Sequence, residues 1–389
     1  MSVFFRNYSP TGSIIMSRKD DSILETQAIF TIDVLKQLIV SEDKIVFSPY
    51  SLTLALAMCY LGARGKTETD FKKLLSPYSE KREYFRMLKN SIEDVQKNSC
   101  NLSSIFIANR IFLQNNYTVK EKFKDDIENY LSASFENLDF NDGVKSAKII
   151  NDFISNATNN KIRNAVGPNY FPKNTRAIIT NALYFKSQWD SVFSEPDTVD
   201  GQFYITKNER KNVKMMNKTS LFLYGDNNNF HIVKIPYHNY DSEFILILPK
   251  ERNKLHSLLR EMERNSFFNI IRPAYSGKEV VLTIPKFKVE SLLEMKKILT
   301  MIGLVSPFNI NADFTRVTSI EEFWVEDIAH TVFVDVNEKG TEAGAATIIR
   351  ARGGGSLPKK PERIIIKADH PFLYVIVNKE KILFSGVYQ

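Results

Sequence analysis

The chain has 389 residues, of which 43% are hydrophobic, 12% aromatic and 25% charged. That supplies apolar material for a large core and excludes a disordered or fibrous chain. Net charge is +7, but acids are interspersed among the bases and no nucleic-acid module accompanies them, so nucleic acid is not an expected partner.

In residues 1–21, Arg6 interrupts the apolar run Val3, Phe4, Phe5, so no signal-peptide core is recognisable. This stretch is read as an N-terminal extension, and residues 22–389 as one domain, since no Gly/Ser/Pro-rich linker or charge block divides them. No run approaches the roughly 20 apolar residues of a membrane span. An extracellular or cell-surface place is preferred to a cytoplasmic one, without a leader to fix it. Ser22 and Glu25 form a capping box that predicts a helix through about Val40, with Leu24, Ala28, Leu35 and Ile39 near one face. Ile45, Val46 and Phe47 lead to Pro49 and a helix apolar on nearly all sides, which predicts burial. Gly65-Lys66-Thr67 mimics the end of a phosphate-binding loop, but Tyr60 stands where that motif needs Gly and a helix precedes it. Cys59 lies in the apolar helix, and neither it nor Cys100 has metal-ligand or required disulfide spacing. No metal or other cofactor is expected.

A polar helical region is predicted over 68–95, a strand over 105–113, helices over 121–131 and 147–154, and a long strand over 176–186 followed by Trp189. From 202 to 249 the pattern predicts short strands alternating with turns, with a turn at Gly225-Asp226-Asn227 and another at His238-Asn239-Tyr240. A short helix over 254–262 and a strand over 280–286 follow. Ser291 and Glu294 read as a second capping box, for a helix ending near Gly303. Basic groupings occur at Lys120/Lys122/Lys124, Lys207/Arg210/Lys211/Lys214 and Lys359/Lys360/Arg363. They read either as a solvated surface or as a site for a sulfated polysaccharide or anionic lipid. Asn7, Asn101, Asn116, Asn156 and Asn217 each begin an Asn-x-Ser/Thr acceptor, about the number chance gives so Asn-rich a chain.

One segment stands apart. Residues 338–356 follow an alternating strand at 332–336 and precede another at 364–366. Here Gly340, Thr341, Ala343, Gly344, Ala345, Ala346 and Thr347 are small, and Thr341, Ala343, Ala345 and Thr347 share one parity. An ordinary loop is richer in Asn, Asp and Pro. A small, uncharged strand face slips between existing strands without steric penalty, so the segment reads as a loop able to become a strand.

The order Glu338-Lys-Gly-Thr-Glu-Ala-Gly-Ala-Ala-Thr347 resembles the hinge of inhibitory serpins. Asn181-Ala182-Leu183-Tyr184-Phe185-Lys186 with Trp189, Ala312-Asp313-Phe314, and the 369–376 and 382–386 strands support the resemblance, which covers 22–387. Thr315-Arg316 and the chain end after Val387 depart from the usual pattern. The resemblance implies an α+β fold with three β-sheets, including a large central sheet, eight to nine helices and an exposed reactive-centre loop at about 338–362. It implies a monomer, not an enzyme, that inhibits a serine protease irreversibly. The protease cuts the loop, is trapped as an acyl-enzyme, and the hinge inserts into the large sheet. Ser48, Ser51, Asn181 and His330 match the polar "shutter" beneath that sheet, and Trp189 the "breach" where the loop enters. Usual spacing from Glu338 lands the scissile residue on Gly354, which offers a protease pocket nothing to grip. Arg352-Gly353 is preferred as the reactive bond, then Arg350, then Gly354, implying a trypsin-like target. The competing readings are a non-inhibitory carrier or chaperone, against which the small hinge residues argue, and a hydrolase using Ser48 and His330, which no spacing supports.

Overall fold

The computed structural model describes residues 18–41, 45–97, 102–173, 175–238, 241–273, 275–320, 322–341 and 363–389. Helix α1 (Arg18–Ser41) leads to strand β1 (Ile45–Phe47) and helix α2 (Pro49–Gly62). Helices α3 (Gly65–Leu75) and α4 (Lys81–Lys97) follow, then β2 (Ser103–Gln114), α5 (Glu121–Leu131), β3 (Ser134–Leu138), α6 (Gly143–Ala157) and β4 (Ala177–Gln188). Strands β5 (Val199–Tyr204), β6 (Arg210–Asp226), β7 (Phe230–Pro236) and β8 (Ser242–Pro249) precede helices α7 (Leu255–Glu261) and α8 (Arg264–Ile271). The remainder is β9 (Ser276–Pro285), β10 (Phe287–Glu294), α9 (Met295–Met301), β11 (Asp327–Asn337), β12 (Gly340–Thr341), β13 (Ile364–Lys367), β14 (Phe372–Asn378) and β15 (Lys381–Tyr388).

The nine helices of the described residues match the expected number. Both capping boxes fail. Helix α1 begins at Arg18, which puts Ser22 inside it. Ser291 belongs to β10, whose pairing with β11 runs unbroken from Phe287↔Val336 to Glu294↔Ala329. Eight ladder positions outweigh one local cap. The polar region 68–95 is two helices, parted by the turn holding Pro77. Strand β6 spans 17 residues where short strands are expected, and α8 has no counterpart in the sequence reading.

Hydrogen bonding joins the strands into two networks. The six-stranded sheet has the order β10-β11-β12-β4-β2-β3, with β11 and β4 also paired directly. The nine-stranded one runs β1-β15-β14-β8-β7-β6-β9-β13, with β5 alongside β6. The second and third of the three expected sheets are continuous through β6. Its start pairs with β5, its middle with β9 and its end with β7.

The main core lies between the sheets and the helices, and α2 sits inside it with all 14 residues buried, as its all-round apolarity requires. Helix α6 crosses the other face of the six-stranded sheet. A second apolar cluster forms there, in which Ala147, Ile150 and Ile154 meet Phe112, Ile178, Ala182, Ala329 and Phe333. Alternation decides which side each residue serves: Ala182 and Ala329 face α6, while Asn181 and His330, next to them in sequence, face α2.

The first residue of α6 is Gly143, and a Cβ there would lie 2.3 Å from the Pro168 carbonyl oxygen. Gly143→Ala is therefore expected to force the start of α6 away from the 168–170 turn and destabilise the protein by about 1–3 kcal/mol. Val144→Ala, at a 70% exposed position, should leave the unfolding temperature unchanged in the same calorimetric scan.

Candidate functional site

The site is the seam between β4 and β11. These strands run parallel and pair at six positions, from Asp327↔Ile178 to Val332↔Leu183. Above that ladder β12 lies between them, antiparallel to both. Thr341 pairs with Val336 and with Ser187, and Gly340 with Asn337 and with Gln188. Two parallel strands can accept an antiparallel third between them, and here its first two residues are in place.

Beneath the six-position ladder lies a hydrogen-bond network centred on Asn181. Its Oδ1 accepts from Ser51 Oγ at 2.5 Å and from His330 Nδ1 at 2.5 Å. Its Nδ2 donates to the Ser51 carbonyl at 2.8 Å and to Asn109 Oδ1 at 2.5 Å. The backbone N–H of Ser48 donates to His330 Nε2 at 2.9 Å. A backbone N–H can only donate, so Nε2 is bare, Nδ1 carries the proton and the imidazole is neutral. Ser48 Oγ caps α2 by accepting from Ser51 N. Ser48, Ser51, Asn181 and His330 have no exposed surface. Burial lowers the His330 pKa to about 3.

The structure thus brings together the four polar residues singled out in the sequence and adds a fifth, Asn109. Asn109, Asn181 and His330 occupy matching positions on β2, β4 and β11. The available signal was an amide within the apolar run 105–113. The network does not resemble a hydrolase site. His330 contacts the backbone of Ser48, not its hydroxyl, and its other nitrogen faces an amide rather than a carboxylate.

At the far end of the ladder Asp327 accepts hydrogen bonds from Tyr170 Oη, Lys296 N and Ile328 N. Burial raises its pKa to about 6, against the lowering effect of those bonds.

Trp189 lies at the other end, where β12 begins. It is buried and stacks on Tyr237 at 4.5 Å with 12° between the rings. Its Nε1 donates to the Asn337 carbonyl at 2.9 Å and its backbone N to the Lys339 carbonyl at 3.0 Å. The Tyr237 hydroxyl bonds Thr341 Oγ1 at 2.5 Å. Glu338 is held by Lys286 Nζ and Thr198 Oγ1, each at 2.9 Å. Burial pushes its carboxyl up, but these donors and its own backbone N–H together hold it below the ordinary range. Gly340 has no room for a side chain, since a Cβ would lie 2.1 Å from the Ser187 carbonyl oxygen.

Of the hinge residues, Glu338, Gly340 and Thr341 are thus placed at the seam. Ala343, Gly344, Ala345, Ala346 and Thr347, and the bond candidates Arg350, Arg352, Gly353 and Gly354, lie outside the described residues. Several of the grouped bases have local partners. Lys124 and Lys214 pair with Glu121 and Asp200, and Lys211 donates to the Gln389 carbonyl.

A serpin (serine protease inhibitor) family model matches residues 25–389. An uncharacterised serpin-like protein of Thermococcus kodakarensis is 32% identical over 92% of this chain and 83% of its own length. Serpin B6 of Pongo abelii is 31% identical over 94% of this chain and 98% of its own. The crystal structure of Serpin48 from Tenebrio molitor superposes with a TM-score of 0.85 at 27% identity, covering 96% of this chain and 99% of that one. The chain belongs to the serpin family. Most serpins inhibit proteases and some do not; thyroxine-binding globulin shares the fold and is seen with thyroxine bound.

Two consequences of the seam are measurable. Asn181→Ala strands the bonding groups of Ser51, Asn109 and His330, which should cost about 3 kcal/mol or more. Hydrogen exchange should quicken at 328–332 and 179–183 but not in α7. The second concerns acid. His330 binds its proton far less readily folded than unfolded, so it removes stability as pH falls from about 6.5 towards about 3. Asp327 binds its proton more readily folded, so it adds stability as pH falls from about 6 towards 3.8 and opposes His330 over that span. Asp327→Asn should therefore steepen the acid loss of stability between those values by up to about 1.4 kcal/mol per pH unit. Denaturation midpoints across that range give the measurement, and an unchanged slope contradicts this assignment.

Proposed function

We infer that this serpin is an irreversible, suicide-substrate inhibitor of a trypsin-like serine protease. The observation that carries the reading is β12: Gly340 and Thr341 already pair on both sides within the six-stranded sheet. The sequence continues from them with small residues at 343–347, and Glu342 falls on the opposite parity from Thr341, Ala343, Ala345 and Thr347. Glu338, locked by Lys286 and Thr198, fixes where the new strand starts.

The protease serine attacks the carbonyl of Arg352, the bond to Gly353 breaks, and the new Gly353 amine leaves with a proton from the protease histidine. An ester joins Arg352 to the enzyme. The freed hinge then extends β12 down the seam, parting the six β4–β11 pairs. One parallel ladder is replaced by two antiparallel ones, and antiparallel pairing is somewhat more stable per residue. About ten inserted residues gain roughly 1 kcal/mol net each from hydrogen bonds. Ordering them costs about 1–2 kcal/mol each, so burial and relief of strain in the uncut sheet must tip the balance. The position of the Asn181 network under the pairs that must part supports its reading as the shutter, and the Trp189–Tyr237 stack beside β12 supports its reading as the breach. Arg352 is chosen over Arg350 and Gly354 on sequence spacing and on the fit of an arginine to an acid-lined pocket.

Incubation with trypsin should give an adduct that survives SDS, with mass spectrometry placing the cut after Arg352. Thr341→Arg places a charge where Thr341 is 1% exposed and bonded to Tyr237, so it should convert the inhibitor into a cleaved substrate. Undiminished adduct from Thr341→Arg excludes strand insertion as the mechanism, and cleavage only outside Arg350 and Arg352 excludes this choice of bond.

A further inference from the structure

Residues 190–198 join β4 to β5 in no α-helix or strand, so their backbone groups need partners from elsewhere. This segment grips Glu338 twice. Phe193 N donates to the Glu338 carbonyl at 2.8 Å, and Thr198 Oγ1 donates to its carboxylate at 2.9 Å. Two consecutive residues of β6 grip the segment in turn. Lys218 Nζ donates to the Ser191 carbonyl and, at 2.9 Å, to the Val192 carbonyl. Asn217 Nδ2 donates to the Asp197 carbonyl at 2.9 Å, while its Oδ1 accepts from Thr283 Oγ1 of β9 at 2.7 Å.

Three donors on a flexible stem let one lysine serve two carbonyls and a ring. The Lys218 ammonium lies 5.4 Å from the centre of the Phe193 ring. Phe193 is buried and meets Trp189 edge-on at 6.2 Å. Lys218 therefore braces three consecutive residues, and the last of them bonds the Glu338 main chain. Strand β6 belongs to the nine-stranded network and β12 to the six-stranded sheet. The brace thus carries the position of one network to the residue from which the hinge starts in the other. That position matters because a strand entering one residue out of register turns its small-residue face to the wrong side. Insertion also competes with water, which hydrolyses the ester and frees the protease. A hinge start that wanders loses adduct without slowing the first cut.

We propose that Lys218 is a positioning residue for loop insertion, fixing the main chain of Glu338 through Phe193. This role rests on the inhibitory reading above. The test compares the full chain with Lys218→Met, which keeps the apolar stem and removes the ammonium, and with Lys218→Arg, which restores charge and donors. Amide exchange at Phe193 reports its bond to Glu338. Gels after incubation with trypsin report SDS-stable adduct against free cleaved inhibitor. Lys218→Met should quicken exchange at Phe193 about fivefold or more, the worth of one net hydrogen bond, and lower the ratio of adduct to cleaved inhibitor by a similar factor. The rate of the first cut should stay the same, and Lys218→Arg should recover both losses. Unaltered exchange at Phe193, a slowed first cut in Lys218→Met, or no recovery in Lys218→Arg would overturn the proposal. A wild-type chain that is cut and never trapped overturns the inhibitory reading and this role with it. Trapping that is equal in wild type and Lys218→Met overturns the role of Lys218 alone.

Discussion

Asn181 uses all of its hydrogen-bonding capacity on four groups from three separate parts of the chain: the start of α2, strand β2 and strand β11. It ties the two halves of the six-stranded sheet directly to the core helix. A fully satisfied buried network is strong because no water competes, and it is abrupt in failure because each lost bond strands another. In this structure the β4–β11 seam is closed over a complete network, and parting its pairs would break that network as a unit.

The two ends of the seam have different physical character. At one end Trp189, Tyr237, Phe193 and Phe244 form an aromatic cluster around the base of β12. Bonds from Trp189 to two main-chain carbonyls add orientation to apolar packing. At the other end a buried carboxylate, Asp327, receives donors from α9, from its own strand and from Tyr170. One end is held by shape and the other by charge and protonation. Because the neutral imidazole of His330 and the raised carboxyl of Asp327 respond to acid in opposite senses, the seam is buffered over the range where they overlap.

Helix α6 adds a third constraint. Its apolar face rests on Ala182, Ala329 and Phe333, residues on both sides of the seam. Any strand that lengthens β12 downward must part side chains that α6 covers. Small residues at 182 and 329 bring the helix close to the backbone, which couples its position to the spacing of β4 and β11.

Much of this was legible in the residues. The all-apolar run at 49–62 announced a buried helix, because a helix without a polar face has nowhere else to go. The limits of α5 matched its periodicity. The capping boxes at Ser22 and Ser291 misled because local hydrogen bonds are worth about 1 kcal/mol and lose to long ladders and packed helices. The length of β6 was hidden because its two halves serve different neighbours and share no single pattern of burial. Asn109 was hidden because only the β2–β4 register sets it beside Asn181. By itself, then, the sequence determined the family and most of the helices and strands. The tertiary structure alone decided that Asn109 joins the four polar side chains, which protonation state His330 holds, and how far β12 already reaches into the sheet. Those depend on contacts between residues some 70 to 280 positions apart, set by strand register and burial rather than by any local preference.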